Sequence, residues 1–212
     1  LIDQVPPASV ASLRQAANVR LFDTPSNFLM FLHMDQARPV TPFVTDKQGR
    51  SIPNPLRDVR VRKALSLAVN RAALTSGVLG DSAVPANQLL PPGFPGTIQG
   101  LDAIAYDPQK ARELLAAAGH ANGFRLVMHG TDGRYASDKQ VLGAIALGLR
   151  EIGIDAQSVS LPSNEFFARA SAGTGKNGEP EFSVIQVGWA SVEPSGALKG
   201  LLATPSKSTG FG

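Results

Sequence analysis

Apolar, strand-like segments alternate with amphipathic helical segments through most of this 212-residue chain, and no other feature constrains the fold as strongly. The predicted strands cover residues 18–22, 28–34, 124–128, 154–161 and 182–189. The predicted helices cover residues 6–16, 58–69, 71–78, 107–118, 137–152 and 163–170. Because a chain that alternates in this way buries its strands beneath its helices, we predict an α/β fold with helices packed on a sheet.

Polar residues at the starts of the predicted helices are placed to accept hydrogen bonds from the first, unpaired backbone amides. Asp58 and Asp107 directly precede two of the amphipathic segments. Residues 137–140 have the Ser-x-x-Gln spacing of a capping box. Either Ser163 or Asn164 would cap the helix that follows. These signals predict where the helices begin.

The composition indicates a folded chain with many turns. Hydrophobic residues make up 43% and charged residues 17%, which excludes a disordered acidic segment and a coiled coil. The 21 glycines and 16 prolines exceed the usual share and indicate many irregular connections. No apolar run reaches the roughly 18 residues of a membrane-spanning helix. The length suits one large domain or two small ones.

The charge is nearly balanced, with 20 basic and 17 acidic residues and a formal net charge of +3. Most basic residues are scattered, and one cluster comprises Arg57, Arg60, Arg62 and Lys63. Since the cluster falls mostly off the apolar stripe of its helix, we interpret it as a solvated face and predict no nucleic-acid partner. The absence of cysteine removes disulfides, thiolate metal sites and cysteine nucleophiles.

The sequence contains none of the common catalytic or metal-binding motifs. The three histidines, His33, His120 and His129, have no partner at metal-ligand spacing, and there is no Gly-x-Ser-x-Gly. Residues 173–176 are only faintly similar to a phosphate-binding loop, and we interpret residues 171–180 as a flexible turn. We therefore predict no metal, no cofactor and no enzymatic activity.

One enzymatic alternative stays open at this point. The chain would be a stand-alone α/β hydrolase that uses Ser191 or Ser195 as its nucleophile. This hypothesis requires a histidine within hydrogen-bond reach of one of these hydroxyl groups. It is therefore tested by where the fold places the three histidines.

Five segments, read in order, resemble the motifs of the bacterial extracellular solute-binding proteins of family 5. Residues 58–71 resemble the family's D-V-R-V-R-x-A-L run, and residues 106–119 its Y-D-P-x-K-A-x-x-L-L helix. Residues 149–155 are similar to its L-x-x-I-G-I helix end, and Gly188-Trp189 to its Gly-Trp strand end. An apolar strand within residues 25–35 is also similar. The resemblance covers nearly the whole chain.

The resemblance implies a fold and a role. Family members have two α/β lobes joined by a hinge, and residues 1–212 resemble the second lobe, with a mixed sheet flanked by helices. The first lobe, the signal peptide and the C-terminal return segment would lie outside this chain. The expected role is substrate-binding component of an ABC importer in the periplasm, which captures a peptide or similar small solute between its lobes and delivers it to the inner-membrane permease.

The resemblance also implies which loops line the binding cleft. In the family, ligand contacts come from the loop after the Gly-Trp strand and from the loop before the I-G-I helix. The corresponding residues that we expect to contact a ligand are Trp189, Ser191, Glu193, Arg134 and Tyr135.

The roles of three of these residues stay open. Trp189 would lay its ring along the ligand or would be a core or lip aromatic. Peptide-binding members carry an aspartate just after Gly-Trp that holds the peptide ammonium, and this chain lacks it. Glu193 would substitute for it, or would be a solvated residue while the ligand lacks an ammonium group. Arg134 would pair with a ligand carboxylate or would be an ordinary surface arginine.

Overall fold

In the computed structural model, which describes residues 5–22, 24–171 and 179–203, helices alternate with the strands of one sheet. The strands are β1 (Phe28–Met34), β2 (Val44–Thr45), β3 (Arg125–Thr131), β4 (Asp155–Leu161) and β5 (Val184–Ala190). The helices are α1 (Pro7–Gln15), α2 (Val59–Leu67), α3 (Arg71–Ala73), α4 (Pro108–Ala117), α5 (Asp138–Glu151), α6 (Ser163–Ala170) and α7 (Pro194–Ala197). A 3-10 turn at Pro55–Arg57 precedes α2, and π-helical turns at Leu74–Val78 and Leu198–Leu202 extend α3 and α7.

The sheet is mixed, as predicted. β3 pairs in parallel with β4 and with β5. β1 pairs antiparallel with β5 along its whole length, and the two-residue β2 pairs antiparallel with β3. The predicted fold class, an α/β fold with a mixed sheet flanked by helices, is therefore confirmed.

The directions of the strands bring several chain segments to one edge of the sheet. The parallel strands β3, β4 and β5 end together, at Thr131, Leu161 and Ala190. Because β1 runs the other way, its first residue, Phe28, lies opposite Ala190. We call this border the carboxyl edge. Ligands of α/β proteins usually bind outside the carboxyl ends of parallel strands.

The apolar core lies between the sheet and the helices α2, α4 and α5. Its fully buried members include Leu65 of α2, Leu115 of α4, Met128 of β3 and Leu142 of α5. Helix α5 approaches α2 closely at Gly148, where a β-carbon would lie 2.5 Å from the carbonyl oxygen of Ala68. The glycine thus allows the two helices to pack in contact.

The aspartates predicted to cap helices do so. Asp58 accepts a hydrogen bond from the amide of Arg60 at 2.8 Å, and Asp107 accepts one from the amide of Lys110 at 2.8 Å. Arg60 also forms an ion pair with Asp58 at 2.5 Å. One member of the basic cluster is therefore paired at the start of α2. In both helices the cap lies within the chain segment that it stabilises.

Three local predictions are wrong. Residues 18–22 form no strand, because they pair with no other segment in the described part of the chain; Phe22 there is 80% exposed. Ser137 has left-handed backbone angles, and its side chain accepts no capping hydrogen bond from the described start of α5. The amide of Lys139 donates instead to Asp138. Helix α6 begins after Pro162 without a side-chain cap in the described residues. Neither Ser163 nor Asn164 therefore caps this helix. The turn predicted at 171–180 falls mainly on residues outside the described ranges.

Candidate functional site at the carboxyl edge

Phe28 links the two loops that the sequence singled out. Its backbone pairs with Ala190, at the start of the β5–α7 loop, and its ring lies 5.5 Å from the ring of Tyr135 in the β3–α5 loop. The ring covers Gly188, where any β-carbon would overlap it. Phe28 is nevertheless 42% exposed. Tyr135 of the β3–α5 loop and the end of β5, from which the β5–α7 loop continues, therefore lie beside one accessible aromatic ring.

The β3–α5 loop is shaped by the buried carboxylate of Asp138. It accepts hydrogen bonds from the hydroxyl of Thr131 at 2.7 Å and from the amides of Gly133, Arg134 and Tyr135 at 3.0–3.1 Å. Burial opposes ionisation of this carboxyl, but the hydrogen bonds from Thr131 and the amides outweigh it and lower the pKa of Asp138. The ionised carboxylate thus fixes the backbone that carries Arg134 and Tyr135.

Arg134 presents an uncommitted positive charge at the carboxyl edge. Its guanidinium lies 5.2 Å from the ring centre of Phe167 and 5.6 Å from that of Tyr135, within the range of cation–π attraction. Arg134 is exposed, and its guanidinium has no ion pair or hydrogen bond within the described ranges. The aromatic rings hold the side chain in place and leave its fork of N–H donors free for a planar anion.

Glu193, in the β5–α7 loop, caps helix α7. Its carboxylate accepts hydrogen bonds from the amides of Ser195 and Gly196, both at 2.9 Å, and from the hydroxyl of Ser195 at 2.6 Å. The bonds from Ser195 lower the pKa of Glu193. Ser191 closes the loop by donating its hydroxyl hydrogen to the backbone carbonyl of Glu193 at 2.5 Å. Glu193 is exposed, yet both of its oxygens are occupied.

Trp189 packs within this chain. It lies opposite Leu29 in β1, and its ring contacts Gly200, where a β-carbon would come within 2.7 Å of the indole. The indole is half-buried, and its Nε1 is buried without a hydrogen-bond partner among the described residues. This packing agrees with a core or lip aromatic, and a ligand contact by Trp189 stays a prediction.

The geometry gives the hydrolase alternative no nucleophile–base pair in the described part of the chain. The hydroxyls of Ser191 and Ser195 both donate to Glu193, and neither bonds to a histidine. His129 instead stacks on Phe182 at 4.0 Å, and its burial lowers its pKa to about 4. A serine nucleophile requires a base within hydrogen-bond reach.

The described ranges lack two other features that would indicate a function, a metal site and a membrane span. They hold no group of three or more histidine, aspartate or glutamate residues arranged to bind a metal ion. None of the helices there combines the length and the apolar character needed to cross a lipid bilayer.

Sequence reasoning missed three residues of this site. They are Phe28, within a predicted strand, Asp138, within the predicted capping box, and Phe167, within a predicted helix. One signal for Phe28 was present in the sequence. Gly188 lies within the predicted strand 182–189, and a glycine in a strand often marks the close approach of another group.

A match to a known protein family identifies the class of protein to which the chain belongs. The family model of the bacterial extracellular solute-binding proteins, family 5 (middle), matches residues 1–208. The chain therefore belongs to the bacterial extracellular solute-binding proteins of family 5, and the predicted family is confirmed.

Individual relatives agree with this assignment. The glutathione-binding protein GsiB of Escherichia coli O1:K1 / APEC is 31% identical over 204 residues, which cover 94% of this chain and 36% of the relative. The dipeptide-binding protein of Escherichia coli K12 is 27% identical over 187 residues, or 82% of this chain and 32% of the relative. The chain thus spans about a third of the length of the curated relatives that it matches.

Solved structures agree at the level of the fold. The ABC transporter substrate-binding protein CtaP of Listeria monocytogenes superposes with a TM-score of 0.71 at 17% identity. The match covers 92% of this chain and 36% of CtaP. The mixed sheet with its flanking helices is therefore a fold found within larger substrate-binding proteins.

Proposed function

We propose that this chain forms one wall of the ligand cleft in the substrate-binding component of an ABC importer. The observation that carries the proposal is the meeting of two loops around Phe28 at the carboxyl edge, with the free guanidinium of Arg134 beside it. The names of the relatives, which bind glutathione or dipeptides, support a small peptide-like solute. The proposed role is capture and delivery to the inner-membrane permease, without catalysis or a cofactor.

In this proposal, Arg134 binds a carboxylate of the solute. The guanidinium can form two parallel hydrogen bonds to a carboxylate, and its position over Phe167 limits the rotamer entropy lost on binding. Phe28 and Tyr135 offer ring faces to the apolar part of the solute. Ser191 of the β5–α7 loop and Trp189, near the end of β5, complete the proposed lining.

The proposed arrangement also explains why the cleft would need a second wall. Residues 1–212 would be a single lobe, and the first lobe of the same polypeptide would close over the carboxyl edge in a hinge motion. Closure would bury the solute and satisfy its polar groups from both sides. The full-length protein would carry out this cycle in the periplasm.

The test is calorimetry on the full-length protein with a library of peptides and other small carboxylates. We expect at least one solute to raise the melting temperature and to bind about tenfold or more weakly to Arg134→Gln. The matched control is Arg57→Gln, an exposed arginine in the turn before α2. Binding that is unchanged by Arg134→Gln would contradict the role of Arg134, and a protein that no solute stabilises would contradict the proposed function.

A further inference from the structure

The carboxylates that follow the three parallel strands are all engaged within the protein. Asp138 is buried in its loop, and Asp132 pairs with Lys139 at 3.1 Å. After β4, Glu165 pairs with Arg169 at 3.0 Å, and after β5 Glu193 caps α7. Arg134, by contrast, has no charged partner within the described ranges. Among the described residues, the free charge at the carboxyl edge is therefore positive.

Glu193 is the carboxylate nearest to the end of β5, and its oxygens accept hydrogen bonds from the start of α7. Oε2 accepts from the amide of Ser195, while Oε1 accepts from the amide of Gly196 and from the Ser195 hydroxyl. A carboxylate has about four acceptor positions, so three of them are filled. If Glu193 turned toward a ligand, the first amides of α7 would lose their partner.

The described side chains beside Glu193 offer no opposite charge to an ammonium group. Val192, the preceding residue, is 69% exposed, and the charged neighbour that acts on Glu193 is the positive Lys199. Placing an ammonium group against these side chains would remove its water without supplying an opposite charge. A neutral amide group would lose far less on entering the same place.

We propose that this wall of the cleft selects peptides whose amino end is acylated and therefore uncharged, and which keep a free carboxylate. This inference rests on the proposed function, because it assumes that the solute binds at the carboxyl edge. It specifies the ligand class further. The carboxylate lies at Arg134, and the acylated end lies along Val192 and the β5–α7 loop.

The test uses full-length protein and matched pairs of dipeptides and tripeptides, each with a free and with an N-acetylated amino end. We expect the acetylated member of a pair to bind at least about tenfold more tightly, equivalent to about 1.4 kcal/mol. Equal or tighter binding of the free form would overturn the inference and leave the proposed function standing. If neither form of any peptide binds but another small carboxylate does, the inference fails and the proposed function stands; if no solute binds, both fail.

Two variants separate a helix cap from a ligand anchor. Glu193→Gln keeps an acceptor oxygen for α7, and we expect it to change both affinities of a pair by the same factor. A selective loss of free-amine binding would identify Glu193 as an anchor and overturn the inference. Val192→Asp adds a carboxylate at the exposed position, and we expect it to raise the affinity for free-amine peptides about tenfold. An unchanged preference in a folded Val192→Asp protein would also overturn it.

Discussion

Replacing Asp138 with alanine should destabilise the loop that carries Arg134 by about 3–6 kcal/mol. The side chain is 2% exposed and accepts hydrogen bonds from Thr131, from the amides of residues 133–135 and from Lys139. A hydrogen bond to a charged group contributes roughly 1.5–3 kcal/mol, and bonds within one network do not add in full. The estimate therefore counts the loss of about two such bonds, and Thr131, which is 1% exposed, could not replace its partner with water.

The assay is urea unfolding of full-length Asp138→Ala beside the matched variant Asp132→Ala. Asp132 lies in the same loop, but its ion pair with Lys139 is half exposed, so we expect its loss to cost less than about 1 kcal/mol. Asp138→Ala should also weaken ligand binding, because Arg134 loses its fixed backbone. Equal urea midpoints for the two variants would refute the role assigned to the Asp138 carboxylate.

Two other predictions concern packing and pH. Gly148→Ala should lower the free energy of unfolding by about 1–3 kcal/mol, because the added methyl group would meet the Ala68 carbonyl. Gly143→Ala, in open space on the same helix, should not lower it, and the urea midpoints of the two variants test the difference. Because burial lowers the pKa of His129 from 6.5 to about 4, the unfolded chain binds its proton more readily, and stability should fall as the pH drops from about 6.5 to about 4. His129→Phe should flatten that slope, and an unchanged slope would count against this account.

Features determined within one short segment were predictable from the sequence. Asp58 and Asp107 cap the helices that directly follow them, and their donors lie two and three residues away. The strand and helix periodicities likewise depend on neighbouring residues, and they predicted the α/β class. The resemblance to the family predicted which two loops contact a ligand, and both loops begin at the carboxyl edge.

Features that depend on contacts between distant segments were not predictable. Asp138 is a shorter-range case: its donors lie within seven residues, but most of them belong to the loop before α5 and not to the first turn of the helix, which is where a capping box acts. Phe28 joins the site because its ring covers Gly188, 160 positions later in the chain. The alternation of residues 18–22 predicted a strand, but a strand forms only where a partner strand is available to pair with it.

Hydrogen exchange with mass spectrometry on the full-length protein tests the central claim most directly. The comparison is between free protein and protein saturated with an N-acetylated peptide that raises its melting temperature. We predict new protection in residues 131–138 and 189–195, the two loops around Phe28, and its loss in Arg134→Gln at the same peptide concentration. Protection confined to other segments, such as the α2–α5 contact at Gly148, would contradict a ligand site at the carboxyl edge.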